Sequence, residues 1–231
     1  MPDSNPKLKV NILTEALLEI RFDSPKQLPL IVGNMNYLLK DYSVFEDLHV
    51  PEFPNEPPAL SKLVRFRFHT EDRKKLYSLG TGVLSVNSLD YPGFDNFVKE
   101  IINVLEVYQK VSDIKNITRI GLRYINKIPT EGKDLSELLT INNTMPTPIK
   151  DIEKGFAIQS NGQIDGDVLL TKLVSQDQFS TNNLLLDFDY YTERQLEFDI
   201  PQLTTWIKKA HAYIYKSFKE SLTEDYFNSI S

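Results

Sequence analysis

Cysteine is absent from the 231 residues, which excludes disulfides, thiolate metal sites and cysteine nucleophiles together. Also missing is any apolar run approaching the roughly 18 residues that would span a bilayer. The N-terminus, MPDSNPKLKV, has neither a basic stretch leading into an apolar run nor a small-residue cleavage site, so the sequence points to the cytoplasm. Positive charge is not in excess. A formal net charge of -6 and a pI near 5.2 argue against binding nucleic acid through bulk charge, although a local basic patch remains allowed. No G-x-S-x-G and no phosphate-cradling glycine pattern occurs, and Gly80-Thr81-Gly82 reads as a tight turn. The three histidines, His49, His69 and His211, are scattered, with no i,i+4 histidine partner and no glutamate in a zinc-helix pattern.

What is present is alternation. TEALLEIRF (14–22) places Ala16, Leu18, Ile20 and Phe22 on one side and Glu15, Glu19 and Arg21 on the other, the pattern of a half-buried strand. KLVRFRFHT repeats it, with Val64, Phe66 and Phe68 inward and Arg65, Arg67 and His69 outward. Further strands are expected at KLYSLG and GVLSVNS, at 117–128, and near 154–160, 166–175 and 183–191. Helical spacing appears over 26–42 (Leu30, Ile31, Met35, Leu38, Leu39), over 93–111 and over 201–220, with a short helical segment at 134–139. Thr223, followed by Glu224 and Asp225, reads as the cap of a last short helix. Four prolines between Val50 and Pro58 mark a loop.

This order predicts an α+β fold: a mostly antiparallel sheet with long amphipathic helices on one face. Each half reads strand, helix, strands, helix. The chain is therefore expected to form a single α+β domain over 1–231, or two similar halves of about 10–114 and 115–231. An alternative is one sheet gripping a single long C-terminal helix.

GLRYINKI (121–128), then LLLDFDYY about sixty residues on, then the terminal WIKKAHAYIYKSFKESLTEDYF, resemble an uncharacterised, sporadically distributed family of prokaryotic proteins of about this length. TEALLEIRF and FDNFVKEIINVL fit the same family. The resemblance implies weight on Arg123, Tyr124 and Asn126 in the first motif and on Asp187 and Asp189 in the second. It carries over no catalytic residue. It also implies an accessory cellular role, such as a component of a mobile or defence-related operon.

The residues themselves say what chemistry these positions could support. Arg119, Arg123 and Lys127 share one strand face, and Asp187 and Asp189 project together from the apolar face's opposite side. Gathered across strands, one sheet face carries Glu15, Glu19, Arg21, Arg65, Arg67, His69, Arg119, Arg123, Lys127, Asp187 and Asp189. Three readings stay open. The face is a solvated surface of cross-strand ion pairs. Or it is an arginine-lined platform for another protein or an acidic or phosphate-bearing ligand, with Arg65, Arg67, Arg119, Arg123, Asn126, Asp187 and Asp189 as binding residues. Or Asp187 and Asp189 serve a small metal-dependent hydrolase or nuclease-like enzyme, although two carboxylates on one strand are few ligands for a hard cation. The reading carried forward is a non-enzymatic binding or protein-interaction module, with no cofactor and no metal. Arg123 is expected to meet one of the two aspartates, because opposite charges on one sheet face tend to pair across neighbouring strands.

Overall fold

A computed structural model describes residues 11–23, 27–48, 66–141, 156–175 and 183–231. Arg65, Val64, His49 and the proline-rich segment 50–58 lie outside the described residues. The strands are β1 (Leu13–Arg21), β2 (Val44–Asp47), β3 (Phe66–His69), β4 (Lys75–Gly80), β5 (Val83–Ser88), β6 (Asn116–Ile117), β7 (Arg119–Pro129), β8 (Ala157–Ile164), β9 (Asp167–Ser175), β10 (Asn183–Thr192) and β11 (Leu196–Glu197). Five helices accompany them among the described residues: α1 (Leu28–Leu38), α2 (Phe94–Val111), α3 (Leu135–Leu138), α4 (Ile200–Ser221) and α5 (Glu224–Ile230). Nine strands form one sheet in the order β2-β3-β4-β5-β1-β7-β10-β9-β8, and β11 pairs with β6 in a separate ribbon. Every strand pair with a described register is antiparallel. The fold is thus mixed α+β with a large antiparallel sheet.

The chain divides into two compact units. One comprises Glu15–Leu122 and Tyr191–Lys208; the other comprises Met1–Thr14, Arg123–Tyr190 and Lys209–Ser231.

In the first unit, β1 alternates as its letters do: Ala16, Leu18 and Ile20 are buried, while Glu15, Leu17 and Glu19 are half-buried. It pairs with β5 from Ala16↔Ser88 to Arg21↔Val83. The β4–β5 hairpin closes on Thr81–Gly82, with Gly82 at φ 75°, a left-handed conformation that glycine enters without steric cost. Helix α2 buries Phe97, Val98, Ile101, Val104, Leu105 and Tyr108 in one stripe and starts at Gly93. Helix α1 packs on α2 through Ile31, Val32 and Met35. Leu30 and Leu38, expected in that stripe, are instead 58% and 48% exposed. Apolar residues stand on both sides of this helix, and only one side can face the core. His69, expected to point outward, is buried, its Nε2 3.1 Å from Glu46 Oε2.

In the second unit, β8 and β9 form a regular hairpin from Ala157↔Val174 to Ile164↔Asp167. Leu184, Leu186, Phe188 and Tyr190 on β10 are buried, as are Tyr124 and Ile128 on β7 and Ala210, Ile214, Phe218 and Leu222 along α4. Thr223 does cap α5, accepting a bond from the Tyr226 amide, and its hydroxyl donates to the Glu137 carbonyl at 2.7 Å. Asp134 and Glu137 form a reciprocal capping box on α3. These two caps tie α3 to the end of α4, where Thr223 N also bonds to the Leu138 carbonyl.

Leu122 on β7 has no exposed surface. Leu122→Ala should cost about 2–5 kcal/mol through lost burial and the cavity left behind. A urea titration would read it as a lowered midpoint at unchanged slope; an unmoved midpoint would refute the placement.

Candidate functional site

The sheet positions singled out by the sequence are held mostly by one another. In the first unit Arg119 Nη1 donates to Glu19 Oε1 at 3.0 Å, Arg21 Nε donates to the same oxygen at 2.8 Å, and the Arg119 guanidinium lies 4.7 Å from the Tyr191 ring centroid. Glu46 on β2 gathers three side chains: Arg73 at 2.7 Å, His69 at 3.1 Å and Arg67 at 3.9 Å. Hydrogen bonds from Arg73 and then His69 hold the Glu46 carboxyl below its ordinary range. The pairing therefore supports the edge at neutral pH and fades as pH falls through that lowered value. Asn87 Nδ2 donates to Glu15 Oε1 at 2.6 Å.

In the second unit Arg123 meets Asp187 as a two-pronged fork, Nε to Oδ1 at 2.8 Å and Nη2 to Oδ2 at 2.6 Å. Both oxygens of Asp187 are thus engaged, and the residue is buried. The expected meeting of Arg123 with an aspartate is present. Asp189 is half-buried. Asn126 is buried, and its Nδ2 donates to the Leu186 carbonyl at 3.1 Å, which fixes one strand against the next. Tyr124 Oη lies 3.0 Å from His211 Nδ1 on α4.

The strongest polar constellation is one that strand alternation does not mark. Asp167 opens β9 and has no exposed surface. The Tyr190 hydroxyl donates to its Oδ2 at 3.0 Å, and Lys209 Nζ reaches the same oxygen at 3.3 Å. Two residues earlier, Asp165 accepts from the Tyr213 hydroxyl at 3.0 Å and sits 3.5 Å from Lys209 Nζ. The Tyr190 and Tyr213 rings stack with centroids 5.5 Å apart and planes 9° apart. Burial, then the bond to Asp167, pushes the Tyr190 phenol well above its ordinary value. The signal available in the sequence was Asp165-Gly166-Asp167, a hairpin turn flanked by carboxylates, with Lys209 and Tyr213 one helical turn apart.

The first unit holds a comparable cluster. Glu100 on α2 is contacted by the Tyr42 hydroxyl at Oε1 and by Lys75 Nζ at Oε2, 3.0 Å away. Burial pushes Tyr42, Tyr77 and Tyr108 well above the ordinary tyrosine range. A separate groove of about 760 Å³ opens between α2 and α4, lined by Glu106, Gln109, Lys110, Ile200, Pro201, Thr204, Thr205 and Lys208. None of the sequence-derived site residues lines it. Among the described residues no group of three or more His, Asp or Glu could hold a metal ion, and no described helix is long and apolar enough to cross a membrane.

No protein-family model matches the chain, and no curated protein sequence matches it.

Two outcomes follow from this geometry. Asp187→Asn should lower stability by about 1–3 kcal/mol, since it removes a charge-assisted fork and strands the guanidinium. Arg123→Met in the same background should recover part of that loss, measured by a double-mutant cycle; an additive cycle would show that the pair is not coupled. Tyr42, Tyr77, Tyr108 and Tyr190 carry raised values in the fold, so the unfolded chain ionises first. Stability is fully present below about pH 10 and declines as pH rises beyond it. In a phenolate absorbance titration these four tyrosines should ionise only together with unfolding, and a single smooth titration of the folded protein would contradict their burial.

Proposed function

We propose that the protein is a non-enzymatic interaction module that holds another protein against the outer face of α1. The observation that carries this reading is the exposure of three large apolar side chains on one face of that helix: Leu30 at 58%, Tyr37 at 72% and Leu38 at 48%. Leu30 and Tyr37 are seven residues apart and fall nearly in line, with Leu38 beside them. Gly33 lies between, and a Cβ added there would meet nothing within 4 Å, so the face is flat at its middle. Apolar residues clustered in this way are typical of recognition surfaces, and a tyrosine with an exposed ring suits them.

The arginine platform has less support, because Arg119, Arg123 and Arg67 each already face a carboxylate. The metal-dependent hydrolase reading has less still, because Arg123 occupies both oxygens of Asp187. A role as an accessory component of a mobile or defence-related operon suits such a module and rests on the family resemblance alone. The accompanying fold reading is a duplicated strand-helix-strands-helix plan whose long helices cover one sheet face; the 18 residues of α2 and the 22 of α4 support it.

Leu30→Ser with Tyr37→Ser tests the proposal, since both side chains are exposed and the folded state should tolerate the change. Native partners co-purified with the wild type should be lost from this variant at unchanged melting temperature. Binding should also persist as salt rises from roughly 0.1 M to 1 M, where ionic contacts are screened within a few ångströms. Partners retained by the double variant, but lost from an Arg119→Ala, Arg123→Ala variant or at high salt, would return the function to the charged sheet face.

A further inference from the structure

The β8 strand presents a feature that α1 does not share. We propose that the outer edge of β8 is the surface through which two copies of this chain pair antiparallel into a dimer. Among the described residues, β8 ends the strand order and no strand pairs with its outer side. Its eight residues, AIQSNGQI, match β9 one to one from Ala157↔Val174 to Ile164↔Asp167 without a bulge. Asp165 and Gly166 close the hairpin with φ of 53° and 80°, the left-handed pair that a two-residue turn of this type needs.

The phase of the ladder says which backbone groups are unsatisfied. Ser175 N bonds to the Phe156 carbonyl at 3.0 Å, so Phe156 and every second residue after it turn toward β9. Ala157, Gln159, Asn161 and Gln163 therefore direct their amides and carbonyls away from it. A row of open backbone groups is a template for another strand, and folded proteins usually blunt such an edge with charge, proline, a bulge or brevity. The opposite terminal strand, β2, is blunted: it has four residues, and two of them are Glu46 and Asp47. β8 has none of these devices.

The same features select the occupant. A two-fold axis brings a strand onto itself, so any charge near its centre would meet its own kind. AIQSNGQI has no charge to repel, and Gln159 to Gln163 are exposed on both faces of the strand, where amide and hydroxyl side chains can bond to their counterparts. A two-fold pairing of β8 with β8 uses the same edge of both copies, so it stops at two copies and cannot propagate as a fibre. Gly162 adds an independent indication. Among the described residues a Cβ there would meet only the Leu169 carbonyl oxygen at 3.9 Å, an ordinary contact, so none of them requires glycine, whereas a second backbone passing close by would favour it. The strand is also held in place beforehand: Asp165 and Asp167, at the hairpin's turn, are gripped by Tyr213, Tyr190 and Lys209. A single strand pairing buries little area, so the dimer is weak and depends on concentration.

Sedimentation equilibrium of the full chain over a wide concentration range tests this. The wild type should move from 26.7 kDa toward twice that mass as concentration rises. Asn161→Pro removes an outward amide that β9 does not use, and should weaken association roughly tenfold or more while leaving the melting temperature near that of the wild type. Should the proline variant fold poorly, a charge swap replaces it. A Gln159→Lys, Asn161→Lys chain and a Gln159→Glu, Asn161→Glu chain should each be monomeric alone and pair when mixed. Four results overturn the proposal: a wild type that stays monomeric throughout; a dimer that survives Asn161→Pro; charge variants that do not pair when mixed; or a dimer dissolved by Leu30→Ser with Tyr37→Ser. The last would assign self-association to α1, whereas loss of partner capture alone leaves the β8 dimer standing.

Discussion

A carboxylate with no exposed surface must find its partners inside the fold, and Asp167 is such a group. The strand that carries it cannot be displaced without removing its oxygen from both the Tyr190 hydroxyl and the Lys209 ammonium. Those two residues stand on β10 and α4, so one side chain fixes a hairpin, its neighbouring strand and a helix at once. Much of the second unit's polar arrangement follows from it. Tyr213 stacks on Tyr190 and turns its hydroxyl to Asp165, while Lys209 spans both aspartates. The cluster's carboxylates, phenols and ammonium bind one another, which ties the hairpin, β10 and α4 together.

The first unit solves the same problem with the roles exchanged. There the helix α2 supplies the carboxylate, Glu100, and strand β4 supplies the lysine, with Tyr42 again contributing the hydroxyl. One carboxylate shared by one phenol and one ammonium is a stable compromise. The ammonium offsets the charge, and the phenol satisfies a lone pair without adding a second charge that would need its own solvation. Truncating the lysine or the phenol leaves the carboxylate with one partner fewer, so such a cluster also discriminates against misregistered strands. A slip of β9 by one residue would carry Asp167 to the other face of the sheet.

Elements whose signal is local were legible in the sequence. Alternation gave β1 and β7, helical spacing gave α2 and α4, and Thr223 and Gly82 act where a cap and a turn were expected, because each of these depends on neighbours within a few residues. The pairing of Arg123 with Asp187 was legible too, since two charges on matching strand faces have few other places to go. What could not be read was set by distant parts of the chain. Leu30 and Leu38 have the same hydrophobicity as Ile31 and Met35, and spacing alone does not say which stripe of α1 meets α2. His69 follows the outward phase of its strand yet is buried beside Glu46. Asp167 lies within the strand expected near 166–175 with no local mark of its role, and only the arrival of Tyr190 and Lys209, 23 and 42 residues away, gathers the cluster around it. The β6–β11 ribbon joins two-residue strands that carry no periodicity to detect.

The ion pairing of the sheet residues also bears on what kind of recognition the chain can support. A guanidinium already forked onto a carboxylate offers an incoming anion only a fraction of its donors, and releasing it would leave the carboxylate unpaired, which opposes binding. For Arg123 the opposing charge is a buried one, so that cost is greatest there. For Arg119, held by Glu19 and lying over Tyr191, release would forfeit two contacts. The charged residues are thus better suited to fixing strand register than to drawing in a ligand. The proposed recognition surfaces draw instead on exposed apolar side chains such as Tyr37 and Leu30 and, among the described residues, on the uncharged outer edge of β8. Recognition built on such surfaces depends on shape and hydrogen-bond geometry more than on net charge.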